Sequence, residues 1–186
     1  MYKRKFRFAI MAVSALVLSF SACKKDDDEL PEVEENELIT TLKLKFTNKA
    51  AANDVKTFSW KDTDGPGGNA PVIEQIVLEA NKSYTLSIDE VWNEAASPAE
   101  DVREEIADDA DDHLFVYKPA PAGLLSITIT DKDVNNLPIG LTADAVTAAA
   151  GTGTLQIVLR HQPNVKNGSE TPGSTDLDAT FAVKIQ

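Results

Sequence analysis

From residue 38 to the end of the chain, apolar and polar positions alternate in short runs. TLKLKF places Leu42, Leu44 and Phe46 on one face, with Lys43 and Lys45 on the other. That period of two is the pattern of a half-buried strand. VKTFSW repeats it with Phe58 and Trp60, PVIEQIVLEA with Ile76 and Leu78, and SYTLSI with Tyr84, Leu86 and Ile88. The short ANK between the last two suits a hairpin. HLFVY, LLSITIT, TLQIVLRH and TFAVKI bring the expected strands to about eight. Leu125, Ile127 and Ile129 share a face in the sixth, and Phe181, Val183 and Ile185 point inward in the last. Loops rich in Gly, Pro, Asn and Asp separate the runs. A parallel sheet needs crossover helices, and one helix alone is evident. The expected fold is therefore mainly β: an antiparallel, Ig-like or Greek-key β-sandwich.

The expected helix covers residues 98–112, PAEDVREEIADDADD. Ser97 is placed as N-cap, Pro98 at the first helical position and Glu100 three after the cap, which makes a capping box. Val102, Ile106 and Ala110 form a thin apolar stripe. The stretch 141–153, LTADAVTAAAGTG, reads as a short helix or a loop.

The first 37 residues follow other rules. Lys3, Arg4, Lys5 and Arg7 precede an apolar run from Phe8 to Phe20, too short for a bilayer-spanning helix. A basic start, a short apolar run and small residues make a secretory signal over residues 1–22. The single cysteine, Cys23, follows Ser21 and Ala22. LSFSAC resembles a bacterial lipobox, with Phe20 where the strongest pattern has Leu. The resemblance implies lipid attachment at Cys23 and a membrane anchor. A lone cysteine used in this way leaves no disulfide and no thiolate metal site. Lys24, Lys25, Asp26, Asp27 and Asp28 resemble the surface-export signal of Bacteroidota-type lipoproteins, which implies an outer-membrane protein on the outer face, with the periplasmic face as alternative. Residues 24–37 hold eight acids in fourteen positions and read as a solvated tether. The expected organisation is signal 1–22, lipidated cysteine and tether 23–37, and one domain 38–186.

Charge excludes one class of partner. The chain carries 18 basic and 30 acidic residues, net −12; without the four basic residues of the signal, 14 face 30, net −16. Phosphate backbones are bound by Lys and Arg, so a nucleic-acid partner is not expected.

Candidate chemistry centres on DDADDH. Asp109 and His113 are four apart, as are Asp108 and Asp112, a spacing that puts each pair on one helical face. Mixed Asp/His ligation suits zinc, and carboxylates alone suit calcium. The expected cation site is therefore Asp108, Asp109, Asp112 and His113, with His161 as a contributor; a solvated acidic face is the competing reading. DTDGPGGN fails as an EF-hand, because Gly65 falls at position four and Ile73 at position twelve. Asp131 and Asp133 read as ordinary loop acids. Trp60 is expected in the core, while Trp92 and Tyr117 are weak candidates for a ligand platform.

Taken with LKFTN, WKDTDG, DDHLFVYKP and LRHQPNVKNGSETPGSTD, the chain resembles small outer-membrane lipoproteins of Bacteroidota type, loosely labelled a type 1 periplasmic binding fold. That label denotes two α/β lobes, which need more chain and alternating helices, so the sandwich expectation stands. The resemblance implies association with a TonB-dependent receptor. The expected function is non-catalytic capture of a ligand or cation. A structural or adhesive surface module is the alternative, and a carboxylate-based hydrolase a weaker one.

Overall fold

The computed structural model describes residues 36–65 and 67–186. Cys23 and the export-signal residues Lys24, Lys25, Asp26, Asp27 and Asp28 lie outside these. No described helix is long and apolar enough to cross a membrane.

The described chain is a β-sandwich. Its strands are β1 (Thr41–Asn48), β2 (Val55–Lys61), β3 (Val72–Ile73), β4 (Ile76–Leu78), β5 (Ser83–Asn93), β6 (Glu100–Asp101), β7 (His113–Ala120), β8 (Leu125–Ile129), β9 (Thr142–Thr147), β10 (Gly151–His161) and β11 (Ser174–Ile185); the helix α1 spans Val102–Asp108. One sheet runs β3-β2-β1-β5-β9-β8, with β6 on β5; the other runs β4-β11-β10-β7. Three hairpin-linked strands, β1 to β3, are followed by β5 returning beside β1, which is a Greek key. Leu42, Leu44, Phe46, Leu86 and Ile88 of one sheet share a buried core with Leu155, Ile157, Leu159, Phe181 and Val183 of the other. Alternation sets this up: each strand offers one apolar face, and two such faces close on each other. The outer face of the first sheet is charged instead. There Lys43 pairs with Glu90 at 2.8 Å, and Lys45 with Asp89.

Several expectations need correction. Eleven strands among the described residues replace about eight: PVIEQIVLEA breaks at Glu74–Gln75 and sends β3 and β4 to different sheets, and β6 and β9 add two more. Ile76 and Leu78 are buried as expected, but β4 and β5 form no hairpin. β4 instead pairs with β11 in parallel, against an otherwise antiparallel arrangement. Residues 142–147 are a strand, β9, not a helix or loop; Ala143 and Ala145 fill narrow core positions between β5 and β8.

The helix is shorter than its acidic run. Glu100 and Asp101 pair with Asn93 and Trp92 on β5, so the chain is still extended where a capping box would start a helix. The cap is Asp101, whose side chain accepts from the Arg103 N–H, and not Ser97. Val102 and Ile106 are buried, and the Arg103 guanidinium donates to the Ile88 carbonyl at 2.8 Å. The helix ends at Asp108, so Asp112 and His113 stand beyond it.

Candidate cation site

His113 opens β7, and its place follows from alternation. His113, Phe115 and Tyr117 share the inner face of β7, as Leu155, Ile157, Leu159 and His161 share that of β10. His113 and His161 are direct partners across this ladder. Their rings stack with centroids 4.9 Å apart and planes within 5°. The histidines thus close one end of the inner face of the four-stranded sheet.

A β-bulge supplies the first carboxylate. Leu159 pairs with Leu177, but Arg160 pairs with Thr175, so Asp176 is the extra residue on β11. Strict alternation from Leu177 would send Asp176 outward with Asp178. A bulge breaks that parity and re-aims the side chain. The second carboxylate is Glu37, from the segment before β1. Ligand atoms of Glu37, His113 and Asp176 all lie within 4.8 Å of one another.

The tautomer of His113 follows from its contacts. Its Nδ1 lies 3.0 Å from the Asp109 carbonyl oxygen, which can only accept, so Nδ1 carries the proton. The neutral ring then presents the lone pair of Nε2 to the carboxylates. Nε2 is 3.3 Å from Glu37 Oε1 but outside hydrogen-bond alignment. The histidine is 2% exposed. Glu37 Oε2 and both oxygens of Asp176 are also buried without a hydrogen-bond partner. Four such orphaned atoms in one place are unusual, since buried polar groups are normally satisfied.

Protonation reflects the crowding. Burial pushes the Asp176 carboxyl up to about 6, and Glu37 adds to this while the two imidazoles oppose it. Burial works to lower the His113 imidazole, but Glu37, the Asp109 carbonyl and Asp176 together raise it above its ordinary value. The Glu105 carboxyl is also raised, first by burial and then by Glu37 and Asp109.

The sequence-predicted residues divide. His113 and His161 come together. Asp108 and Asp109 are exposed on and just beyond the helix, and Asp112 Oδ1 accepts from the Asn164 N–H at 3.2 Å. None of these three carboxylates belongs to the cluster, because the helix ends before Asp112 and the turn faces them away. The four-residue spacing of Asp109 and His113 is real, yet it is the main-chain carbonyl of Asp109 that orients the ring. Sequence reasoning missed Glu37, which reads as tether, and Asp176, which reads as the end of a loop. The loop acids are structural. Asp64 Oδ2 accepts from the main chain and side chain of Asn69 at 2.8 and 2.7 Å, and Asp131 accepts from Gly140 and Thr142. Trp60 is buried, Trp92 is half-buried, and the Tyr117 hydroxyl donates to the Gly140 carbonyl.

A pocket of about 280 Å³ reaches Asp176 from solvent, lined also by Ile39, Trp60, Asp62 and Pro71. The loop that feeds β11 into the bulge depends on Gly173, at φ +78°, where a Cβ would stand 1.9 Å from the His161 carbonyl oxygen. Gly173→Ala is expected to cost at least ~2 kcal/mol, because a strained φ and a backbone clash coincide. A urea titration of the variant checks this, and an unchanged midpoint contradicts it.

Comparison with protein families, curated proteins and solved structures finds no match.

Proposed function

We propose that this protein is a lipid-anchored outer-membrane accessory that captures a divalent cation through Glu37, His113 and Asp176, for handover to a partner such as a TonB-dependent receptor. The observation that carries the cation reading is the orphaned donor set: one imidazole nitrogen and two carboxylates converge, buried and unsatisfied. Burying such groups is costly unless something pairs them. A cation bound by all three would satisfy the set. One imidazole and two carboxylates suit zinc or a similar transition ion better than calcium, which prefers six to eight oxygens. The Asp109 carbonyl on Nδ1 is the kind of outer contact that fixes a ligating histidine. His161, stacked on His113, holds the ring plane.

The anchor at Cys23 and the surface location rest on the lipobox-like LSFSAC and the KKDDD that follows it. Strong negative charge supports cation attraction over nucleic-acid or anionic partners. A second reading, a surface module that docks a protein, draws on Val72, 73% exposed, and Ile73 beside it on the outermost strand β3.

Isothermal titration of the full chain with zinc tests the proposal. One ion per chain is expected, with at least a hundredfold loss of affinity in Asp176→Asn. Absence of zinc binding to the wild type at micromolar concentration, or unaltered binding by the variant, overturns it.

A further inference from the structure

We infer that cation binding at this site acts as a clasp, pinning the segment that enters the first strand, residues 36–38, to the sandwich. The inference rests on the cation-site reading above and adds a mechanical consequence to it. Two donors are rigidly placed: His113 is paired within the β7–β10 ladder, and Asp176 sits in the β11 bulge between paired neighbours. The third, Glu37, lies outside every strand, on the stretch that enters β1.

That stretch has few other ties. Its first main-chain bond to a neighbouring strand is made by Thr40, whose N–H donates to the Trp92 carbonyl at 2.9 Å, and before it the Glu37 main chain faces the Asp176 carboxylate. Before that point, Asn36 Nδ2 reaches the Thr175 carbonyl at 3.3 Å in an exposed position, and Ile39 is buried. Leu38 is 39% exposed. Segments with few buried contacts open locally at low free energy. An ion that binds only when Glu37 is docked favours the docked state by mass action. Release of residues 36–38, up to the core residue Ile39, would free about 10 Å of chain at ~3.4 Å per residue. The cation would thus order the entry to the first strand as well as being cargo.

Hydrogen exchange of the full chain, read on the amides of residues 36–41 with and without zinc alone, tests the clasp. Zinc is expected to slow exchange there at least tenfold in the wild type. In Glu37→Gln that protection should vanish, while residual zinc binding through His113 and Asp176 persists at lower affinity. If zinc binds stoichiometrically but leaves these amides unchanged, the clasp is wrong and the cation site stands; if Glu37→Gln binds as tightly as wild type, the clasp is wrong and Glu37 is struck from the ligand set. If zinc does not bind the wild type at all, both fall.

Discussion

Replacing Asp133 with alanine should destabilise the folded domain by about 3 kcal/mol. Lys166 Nζ donates to Asp133 Oδ2 at 2.8 Å and to the Ala110 carbonyl at 2.7 Å, and the two side chains are only 2% and 1% exposed. Asp133 Oδ1 also accepts from the N–H groups of Asn135 and Leu137, each at 2.9 Å. Removing the carboxylate strands a buried ammonium and two N–H donors together. Losing one partner of a buried pair costs ~3–5 kcal/mol. The low end applies, because the pair lies between two surface loops where relaxation can admit water. Asp133→Ala/Lys166→Met should recover much of the loss, since the charge goes with its partner. Urea unfolding of the single and double variants decides the matter. A single-variant change below ~1 kcal/mol would show that solvent already shares the pair. The contact ties the loop after β8 to the loop before β11, which leads to Gly173 and the Asp176 bulge. Weaker zinc binding in Asp133→Ala is therefore expected as well.

Without metal, the domain should lose stability as pH rises from about 5 to 8, and zinc should reverse that trend. The folded-state Asp176 carboxyl lies at about 6, above its ordinary value of 3.8. A carboxyl raised on folding favours the folded state when protonated. Its contribution is complete below about pH 4 and is lost as pH rises through about 6. The His113 imidazole is raised above 6.5, so its contribution too is complete below that value and disappears as pH climbs through the folded one. The groups facing the pair are Glu37 from the entry segment, Glu105 from α1, which acts on His113, and His161 from β10; Glu37 sharpens the repulsion once Asp176 ionises. The rise from 3.8 to about 6 corresponds to ~3 kcal/mol at full weight. Partial exposure and screening reduce the expected loss to about 1–2 kcal/mol. Asp176→Asn should flatten this limb of the profile. Asp133 acts in the opposite sense. Burial works to raise its carboxyl, but Lys166 and the Leu137 and Asn135 N–H groups hold it below the ordinary value. Its contribution is present above about pH 4 and is lost as pH falls through the lowered folded value. The metal-free protein should accordingly be most stable near pH 5. Thermal melts from pH 3 to 8, with chelator and then with zinc, test both limbs. A metal-free melting temperature that rises steadily to pH 8 would contradict the proposed protonation of the cluster.

How much was legible beforehand differs between fold and site. Period-two alternation identified the core faces of β1, β5 and β11 and located β7 and β10 as strands, because one buried face leaves its mark on every second residue. Composition likewise made His113 and His161 the only imidazoles available. Alternation failed where a strand was narrow or changed sheets. Ala143 and Ala145 carry too little apolar contrast to mark β9, and nothing in PVIEQIVLEA shows that β3 and β4 part company. The helix was overread because DDADD continues its helical composition past the point where Asp109 ends it.

The sequence by itself determined a mainly β sandwich with one short helix, strong negative charge and a pair of histidines at strand ends. Only the tertiary structure decided which acids meet those histidines. Strand pairing across β7, β10 and β11 is non-local, so His113 and Asp176 lie 63 positions apart in sequence yet within one cluster. The bulge that turns Asp176 inward arises from the register between two strands, which no local run of residues encodes. Glu37 joins because the entry to β1 passes that end of the sandwich, and this makes a residue of tether composition part of the candidate site.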